Sequence, residues 1–318
     1  MNKFLIIRFS SIGDIVLTSP VVRSLKQAFP DAELHFLTKQ SYAKLLEPNP
    51  YIDQIHAFNG DWSAMINDLK KHHFSHIFDL HRNLRSLRVK LAVRRPYSTF
   101  NKQNINKYLL TKPMLRALTG NIAHVVDRYG ATLHPLGIQL DQQGLDFFLP
   151  DGKEEEAKQI LQDHFQSSSP SLAVVLGATH RTKRWIPTHF QSFLNQNGQS
   201  AVLLGGPDIR HEADEIIAGL KVPFLDAVGK YDLFTSAALM KQCQQVITHD
   251  TGLMHIAAAF QQPMITLWGN TVPEFGMTPY KATHEIREVE GLSCRPCSKI
   301  GHGECPKGHF RCMKELEI

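Results

Sequence analysis

Polar and charged residues suited to chemistry follow three apolar runs of strand length. The first of these loops comes after the run 3–9 and holds a carboxylate, Asp14, at the start of a stretch with helical spacing. A carboxylate so placed would project from the helix start into a ligand cleft, and the hydroxyl and amide groups beside it can bind an anion or a sugar hydroxyl. The same position is typical of a helix cap, which needs no function. The other members of this loop are Ser10, Ser11 and Gly13.

Two further loops carry positive charge or the start of a helix. The loop after the run 172–178 contains Thr179 and Lys183, and Lys183 with its neighbours is a candidate ligand of a diphosphate. The loop after residues 244–249 opens a helix, whose free amides are typical of an anion site. Its candidate residues are Asp250, Thr251, Gly252 and His255. The alternatives are an exposed basic loop in the first case and a helix cap with a core histidine in the second.

The elements that must position these loops alternate along the chain. The predicted strands span 3–9, 33–38, 52–58, 75–80, 172–178, 200–206, 244–250 and 263–269. The predicted helices span 14–29, 61–72, 187–197, 209–219 and 251–260, and 84 to 137 is mostly helical. Continuous apolar strands separated by helices are typical of a parallel sheet covered on both faces.

The alternation occurs twice, which predicts two α/β domains. We expect a first domain over 1–160, a second over 161–285 and a cysteine-rich tail over 286–318. LPDGKEEE (149–156) and QSSSP (166–170) are typical of connecting segments. Both domains are predicted to be doubly wound, facing one another across a cleft. Ligands then bind beyond the carboxyl ends of the strands, at the switch point of each sheet and between the domains.

Charge is uneven along the 318 residues. Residues 1–150 carry 19 Lys/Arg and 11 Asp/Glu, whereas 151–318 carry 16 and 19. Within 70–116, 12 basic residues stand against one acidic residue, Asp79. This block indicates a phosphorylated substrate or an anionic membrane surface, unless it is only a solvated helical face. No zinc-finger, RNP or helix-turn-helix signature accompanies it, so nucleic acid is not expected as a partner.

The composition predicts a globular, cytoplasmic protein. Hydrophobic residues make up 42% of the chain, which excludes disordered and collagen-like classes. No uncharged apolar stretch reaches the length of about 18 residues that a membrane-spanning helix needs. Arg8 and Asp14 interrupt the N-terminal apolar run, which favours a first strand over a signal peptide.

Four of the five cysteines lie in the last 25 residues, and the first 242 residues contain none. That distribution is unlike a disulfide-stapled secreted protein. The cluster is compatible with a tetrahedral structural zinc site, with reduced thiols or with disulfides. Its members are Cys294, Cys297, Cys305 and Cys312.

Three motifs, in this order and at these separations, resemble glycosyltransferase family 9, the heptosyltransferases. They read S-S-I-G-D-I-V-L-T-S-P, T-K-R-W-I-P and H-D-T-G-L-M-H-I-A-A-A. The resemblance implies a GT-B fold, with the tail returning toward the first domain. It also implies inverting transfer of heptose from an ADP-activated donor to an anionic glycolipid, the lipopolysaccharide core precursor, at the inner face of the inner membrane. No metal or other cofactor takes part in the chemistry of that family.

The resemblance also implies roles for individual residues. Asp14 matches the catalytic carboxylate, which takes the proton of the attacking acceptor hydroxyl. Lys183 matches the lysine that neutralises the donor diphosphate, and Thr179 matches a hydroxyl donor near it. The donor-binding helix start corresponds to Asp250, Thr251, Gly252 and His255. By position at strand ends, we further assign Asp208 to the donor ribose, with Glu212 as its alternative, and Tyr231 to adenine. The phosphates of the acceptor are assigned to His81, Arg82 and Arg85.

Two other classes of function stay open. A nucleotide-sugar epimerase or hydrolase on a similar fold would use the donor alone, which leaves the basic block 70–116 without a purpose. A non-catalytic basic protein would bind an anionic glycolipid or nucleic acid and would tolerate Asp14→Asn. A transferase would instead lose turnover in this variant and keep donor binding.

Overall fold

The computed structural model describes residues 1–166 and 170–318. Residues 167–169, in the middle of the predicted QSSSP connection, lie outside the described residues. Contacts divide the chain into two units, both built of parallel strands and helices, which confirms the predicted α/β class. The first unit comprises Met1–Gln103 and Ala123–Phe148, and the second comprises Asn104–Ile122 and Leu149–Ile318.

The first unit contains a five-stranded parallel sheet. Its strands are β1 (Lys3–Ile7), β2 (Glu33–Lys39), β3 (Gln54–Phe58), β4 (His76–Asp79) and β5 (Tyr97–Thr99). They lie in the order β3-β2-β1-β4-β5. The α-helices before residue 140 are α1 (Ile12–Val16), α2 (Ser19–Ala28), α3 (Gln40–Ala43), α4 (Trp62–Lys71), α5 (Leu84–Val93), α6 (Asn104–Leu110) and α7 (Val125–Gly130), of which α6 belongs to the second unit.

The second unit contains a six-stranded parallel sheet. Its strands are β6 (Leu172–Val175), β7 (Ala201–Leu204), β8 (Phe224–Asp226), β9 (Gln245–His249), β10 (Met264–Trp268) and β11 (His284–Glu288). Their order is β11-β10-β9-β6-β7-β8. Its further α-helices are α8 (Lys153–Phe165), α9 (Pro187–Asn197), α10 (Arg210–Ala218), α11 (Leu233–Lys241), α12 (Gly252–Ala259) and α13 (Arg311–Lys314).

Apolar strands fill the centre of each unit, as a sheet covered on both faces requires. In β1, Leu5 and Ile7 point to one face and pack with Leu37 and Leu69, the latter from α4. All four residues of β6 are buried in the second unit. Each central strand therefore ends at a well-defined point, from which its loop departs.

The predicted helix over 14–29 is two helices. Pro20 stands at the start of α2, where its missing N–H leaves no bond unmade, whereas inside a longer helix it breaks the hydrogen-bond ladder. The Thr18 hydroxyl donates to the Ile15 carbonyl at 2.6 Å and the Ser19 hydroxyl to the Val16 carbonyl at 2.7 Å, which satisfies carbonyls at the end of α1. The interruption keeps α1 short and places Asp14 in its first turn.

The other expectations are confirmed in part or differ from the structure. The stretch 84–137 is mostly helical, as predicted, but it also contains the edge strand β5, which was not predicted. The predicted connection 149–156 contains the start of α8, whose first turn carries three glutamates that the positive end of the helix dipole stabilises. The edge strands β8 and β11 were not predicted, because edge strands are short and only partly apolar.

The division into units also differs from the predicted boundaries. A boundary at residue 160 falls inside α8, which packs against α11 through Lys153 and Thr235 at 2.7 Å. The tail lies in the second unit, where Met313 and Leu316 pack in the core with residues of its sheet. The buried Arg295 ties the tail to the end of β10, since its guanidinium donates to the carbonyls of Gly269 and Thr271.

Strand order reverses once in each sheet, and ligands of open α/β sheets bind beside such switch points. In the first unit the reversal lies between β1 and β4, so the loops after these strands start side by side. In the second unit it lies between β6 and β9. These four strands are followed by the loops that hold most of the predicted site residues. No helix among the described residues is long and apolar enough to cross a lipid bilayer.

Candidate active site

Asp14 is held in place by an arginine on the preceding strand end. Its Oδ1 lies 2.7 Å from the Arg8 guanidinium, and its Oδ2 accepts the Ser11 hydroxyl at 3.0 Å and the Ser11 amide at 3.3 Å. The Asp14 side chain remains 24% exposed, whereas that of Arg8 is 10% exposed. The carboxylate therefore has a fixed orientation and an accessible edge. Of the other loop residues, Ser10 accepts Arg8 Nε through its carbonyl, and Gly13 is buried in α1.

Arg8 is bound on all sides. Besides Asp14 and Ser10, it donates to the Leu80 carbonyl at 2.7 Å and to the Tyr129 hydroxyl at 2.8 Å. Burial lowers the pKa of Arg8, but the Asp14 carboxylate more than offsets this, so the pKa is raised overall. Burial has the opposite effect on a phenol: it raises the pKa of Tyr129, which stays neutral. Sequence analysis did not assign Arg8 to the site; a cation within an apolar strand was the available signal.

The loop after β4 is organised by a buried carboxylate. Asp79 accepts the amides of His81 at 3.0 Å and Arg82 at 2.7 Å through Oδ1. Its Oδ2 accepts the Ser86 hydroxyl at 2.9 Å and lies 2.7 Å from Lys90 Nζ. Asp79, the one acidic residue of the basic block, therefore stabilises the turn that contains His81 and Arg82.

The three predicted acceptor residues have different surroundings. Arg82 lines an open cavity of about 850 Å³ together with Asn83, Leu87 and Tyr97. His81 packs its ring on Phe9 with the centroids 5.5 Å apart.

Burial, with the nearby charges of Arg8 and Lys102, lowers the pKa of His81 to about 4, so its ring is neutral at neutral pH. Arg85 lies in the exposed first turn of α5, whose N-cap is Asn83. The structure thus places Arg82 in the cavity wall and His81 in the same electrostatic environment as Arg8.

In the second unit, the loops after β6 and β9 are joined by an ion pair. Lys183 Nζ lies 2.6 Å from Asp250 Oδ2, which also accepts the Thr271 hydroxyl at 3.0 Å. Both charged side chains are mostly buried, at 14% and 12% exposure. The predicted neighbourhood of Lys183 and Asp250 is therefore present. Thr271, in the loop after β10, was not predicted, since nothing in its local sequence distinguishes it.

The helix α12 begins beside this ion pair. Thr251 is its N-cap with extended backbone, and Gly252 is its first residue. Its first amides face outward from the helix end, because no intrahelical carbonyl precedes them. His255 lies within the helix and is 2% exposed, which places it in the interior of the second unit.

The remaining predicted donor residues lie at the ends of β6, β7 and β8. Asp208 Oδ2 lies 3.1 Å from Arg184, and Glu212 Oε2 lies 2.7 Å from the same guanidinium. Both acids line a cavity of about 330 Å³ with Arg181 and Arg184. Thr179 is exposed and Tyr231 is half-buried. Asp208 and Glu212, the two candidate ribose ligands, therefore both contact the guanidinium of Arg184.

The cysteines of the tail are reduced thiols in this structure, and no disulfide joins any of the five. Burial, together with the neighbouring cysteines, raises the pKa of Cys297 to about 11 and that of Cys312 to about 12. Cys294 Sγ lies 3.8 Å from His309 Nε2. The cysteines of the tail lie near one another, but among the described residues no three of their thiols come within 4.8 Å of one another.

Two doubly wound units, each with a charged pair at its switch point, constitute a two-domain α/β enzyme of the GT-B type. The model of glycosyltransferase family 9 (heptosyltransferase) matches residues 62–306, most of the chain. The chain therefore belongs to this family and is a glycosyltransferase, as the motifs predicted.

Similar proteins span nearly the whole chain. Lipopolysaccharide heptosyltransferase 2 of Escherichia coli K12 is 23% identical over 99% of this chain and 94% of that protein. Lipopolysaccharide heptosyltransferase 3 of the same strain is 27% identical over 81% of this chain and 80% of that protein.

Solved structures confirm the predicted fold. A glycosyl transferase family 9 protein from Veillonella parvula superimposes with a TM-score of 0.75 at 21% identity, covering 90% of this chain and 86% of that one. The ADP-heptose lipopolysaccharide heptosyltransferase II of E. coli gives a TM-score of 0.71 at 21% identity, covering 98% of both chains.

Proposed function

We propose that the protein transfers heptose, with inversion, from an ADP-activated donor to an anionic lipopolysaccharide core acceptor. The observation that carries this proposal is the Asp14 carboxylate, fixed by Arg8 and Ser11 at a switch point yet partly exposed. Relatives named lipopolysaccharide heptosyltransferases, and a solved heptosyltransferase complex with ADP, support the sugar and the nucleotide.

Asp14 is the general base of the proposed reaction. The acceptor hydroxyl oxygen attacks the anomeric carbon, and its proton passes to the carboxylate as the carbon–oxygen bond to the diphosphate breaks. Arg8 orients the carboxylate through their ion pair at 2.7 Å. Such a positioned base contributes about 10²- to 10⁴-fold to the rate.

The departing diphosphate collects negative charge, which Lys183 and the start of α12 neutralise. Lys183 now pairs with Asp250, and a diphosphate is a competing partner for the same ammonium. The amides of Thr251 and Gly252 add the positive end of the helix dipole. Fixed positive charge of this kind stabilises a leaving group without a metal ion, so we propose that the transfer needs no metal and no other cofactor. Thr179 supplies a hydroxyl, His255 supports α12 from within, Asp208 binds the ribose and Tyr231 the adenine.

The acceptor is proposed to bind in the cavity after β4. Arg82 and Lys90 line it, so a phosphorylated core sugar meets positive charge there, and we assign Arg85 and the neutral His81, which neighbour the lining residues in sequence, to the same acceptor. The loop Ser10, Ser11 and Gly13 lies at the neighbouring strand end and provides hydroxyl and amide donors. This assignment gives the basic block 70–116 a role that a donor-only epimerase or hydrolase leaves unexplained.

The direct test is transfer from ADP-heptose to purified core acceptor in the presence of EDTA, with the wild type, Asp14→Asn and Arg82→Ala. We expect product with the inverted anomer from the wild type, none from Asp14→Asn and a raised acceptor KM for Arg82→Ala. ADP release without an acceptor product indicates a hydrolase instead. No product from the wild type, with equal acceptor binding by the wild type and Asp14→Asn, indicates the non-catalytic binding protein.

A peripheral contact with the inner face of an anionic membrane is part of the same proposal. Around α6, apolar side chains are exposed to solvent: Ile105 by 76%, Met114 by 94% and Leu118 by 68%. No acidic residue occurs from 80 to 126, and Lys112 and Arg116 lie among these side chains. Apolar groups flanked by cations suit the interface of an anionic bilayer.

Sedimentation with vesicles tests this contact. We expect binding to vesicles that contain phosphatidylglycerol and little binding to phosphatidylcholine alone. Met114→Ser with Leu118→Ser should abolish it while transfer to a soluble acceptor stays intact. Equal binding of wild type and variant contradicts the contact.

The cysteine cluster is proposed to hold a structural zinc ion outside the chemistry. It lies in the tail that packs on the second unit, where a metal would tie Cys294 and Cys297 to the segment around Cys312. Zinc content and melting temperature of Cys297→Ser, compared with the wild type, test this. Equal values for both proteins contradict it.

A further inference from the structure

Three histidines converge in the first unit, apart from the residues of the proposed active site. His35 lies on β2 and His56 on β3, and His72 caps the end of α4. Their ligand atoms all lie within 4.8 Å of one another, and among the described residues this is the one group of three or more metal-ligating side chains so close together. His35 and His56 are buried, and His72 is partly exposed.

Two of these imidazoles are each oriented by a carboxylate. His56 Nδ1 lies 2.9 Å from Asp68 Oδ2, and His35 Nε2 lies 3.4 Å from Glu33 Oε2. Their other ring nitrogens, His35 Nδ1 and His56 Nε2, face each other at 2.9 Å. In protein metal sites a histidine ligand commonly holds its second ring nitrogen against a carboxylate, which fixes its orientation. The cluster has this arrangement twice.

The contacts require more positive charge than two neutral rings supply. Hydrogen bonds to Glu33, to Asp68 and between His35 and His56 need three N–H groups, whereas two neutral imidazoles carry two. One extra proton, or one metal ion in place of the central hydrogen bond, completes the arrangement. A proton there makes an imidazolium in a buried setting, which desolvation opposes.

The third ring, that of His72, offers a further nitrogen as a metal ligand. His72 Nε2 is buried and makes no hydrogen bond with any residue that the structure describes; Asp68 Oδ1 is 3.9 Å away. The His72 ring lies 4.6 Å from that of His35 and 5.1 Å from that of His56, measured between centroids. All three imidazoles therefore surround one small volume.

We propose that His35 Nδ1, His56 Nε2 and His72 Nε2 bind a divalent transition metal ion such as Zn²⁺, with Asp68 and Glu33 orienting the rings. Zinc–nitrogen bonds of about 2.0–2.1 Å place tetrahedral ligand atoms about 3.3 Å apart, so His35 and His56 separate by a few tenths of an ångström. The fourth position takes water or Asp68, whose side chain is 45% exposed and leaves a route for the ion.

The role of this ion is structural. It joins two neighbouring strands to the end of α4. The proposal does not depend on the sugar, the nucleotide or the acceptor of the transferase. Its failure therefore leaves the proposed function untouched.

Metal titration of the full chain tests the site. After dialysis against chelator, Zn²⁺ is titrated by calorimetry and Co²⁺ by absorption spectroscopy. A site of three nitrogens gives cobalt bands in the visible range without the sulfur-to-metal charge transfer that the cysteine cluster would produce. The variants are His72→Gln and Asp68→Asn, with His73→Asn, an exposed neighbour outside the cluster, as the matched control.

We expect one nitrogen-ligated zinc equivalent, in addition to any sulfur-ligated zinc at the cysteine cluster, that is lost in His72→Gln and kept in His73→Asn. Asp68→Asn should weaken it about 10- to 100-fold, as carboxylate partners of metal-bound histidines do. The metal-free melting temperature of His72→Gln shows whether this variant folds. The proposal is overturned if the wild type and His72→Gln take up equal zinc, or if the wild type gives only the sulfur-ligated spectrum.

Discussion

Each switch point holds a cation paired with a carboxylate, but the contacts of the cation differ between the two units. In the first unit the cation, Arg8, is bound on all sides and the carboxylate of Asp14 is the more exposed partner. In the second unit the partner that Lys183 has among the described residues is Asp250, through its carboxylate and its carbonyl. Arg8 thus contacts several groups of the protein, whereas a ligand of Lys183 would have to displace Asp250.

This difference assigns complementary tasks to the two units. A carboxylate locked against a saturated arginine keeps its orientation through a reaction, which suits a proton acceptor. A lysine with a single exchangeable partner is able to meet a diphosphate that arrives and leaves in each turnover. The first unit is therefore expected to determine the chemical step and the second to determine donor affinity.

The largest effect is expected at Asp14. Asp14→Asn keeps the size and the contacts with Ser11 but removes the proton-accepting charge, so kcat should fall about 10²- to 10⁴-fold while the donor KM changes little. Steady-state transfer assays measure both constants. Asp31→Asn, an exposed acid of the same unit, is the control and should retain full activity. A comparable loss in the control, or normal kcat in Asp14→Asn, contradicts the assignment.

The next effect concerns Lys183. Lys183→Met preserves the aliphatic stem but removes a charge-assisted contact worth about 1.5–3 kcal/mol, so the donor KM should rise roughly tenfold to 100-fold. Titration of the donor in transfer assays measures it, with Lys221→Met on the surface of the same unit as control. If Lys183→Met lowers kcat at saturating donor and leaves KM alone, the division of tasks between the units is wrong.

Acid should destabilise both units through buried neutral histidines. Burial lowers the pKa of His81 to about 4 and that of His249 to about 3, whereas both titrate near 6.5 when unfolded. Below pH 6.5 the unfolded state binds more protons, so the free energy of unfolding should fall with pH, down to about pH 4 for His81 and about pH 3 for His249.

Urea unfolding between pH 7 and pH 4 measures this slope. His249→Gln should flatten it more than His81→Gln, because the pKa of His249 is shifted further. A slope that is identical in the wild type and both variants would show that these histidines are not the cause.

The smallest effect is expected from Tyr129. Tyr129→Phe removes one acceptor of Arg8, at 2.8 Å, and leaves the contact with Asp14 in place. A single hydrogen bond worth about 1 kcal/mol predicts a decrease in kcat of roughly threefold to tenfold, with donor affinity unchanged. The same transfer assay detects it. A loss as large as that of Asp14→Asn would mean that Tyr129 itself takes part in proton transfer.

The strands that form the centre of each sheet were predictable, and of the edge strands only β3 was. Continuous apolar runs marked β1, β4, β6 and β9, because a strand covered on both faces must be apolar along its length. The edge strand β11 reads HEIRE, with three of its five residues charged, and its strand form comes from pairing with β10. Such pairing depends on tertiary contacts that local sequence does not encode.

The same limit applies to the site. Asp14, Lys183 and Asp250 were predictable because each follows a strand and resembles a family motif. Their partners were not: Thr271 is recognised only when separate segments meet, and Arg8, six positions before Asp14, was marked only by being a cation within an apolar run. The histidine cluster shows the limit most clearly: His35 and His72 are 37 positions apart and belong to no motif, yet their rings meet.

One calorimetric experiment tests the division of tasks most directly: titration of ADP, in EDTA, into the wild type, Asp14→Asn and Lys183→Met. The account predicts equal dissociation constants for the wild type and Asp14→Asn, a weaker one for Lys183→Met, no gain from Mg²⁺ and weaker binding of UDP and GDP. ADP binding that requires Mg²⁺, or that is lost in Asp14→Asn and retained in Lys183→Met, would contradict it.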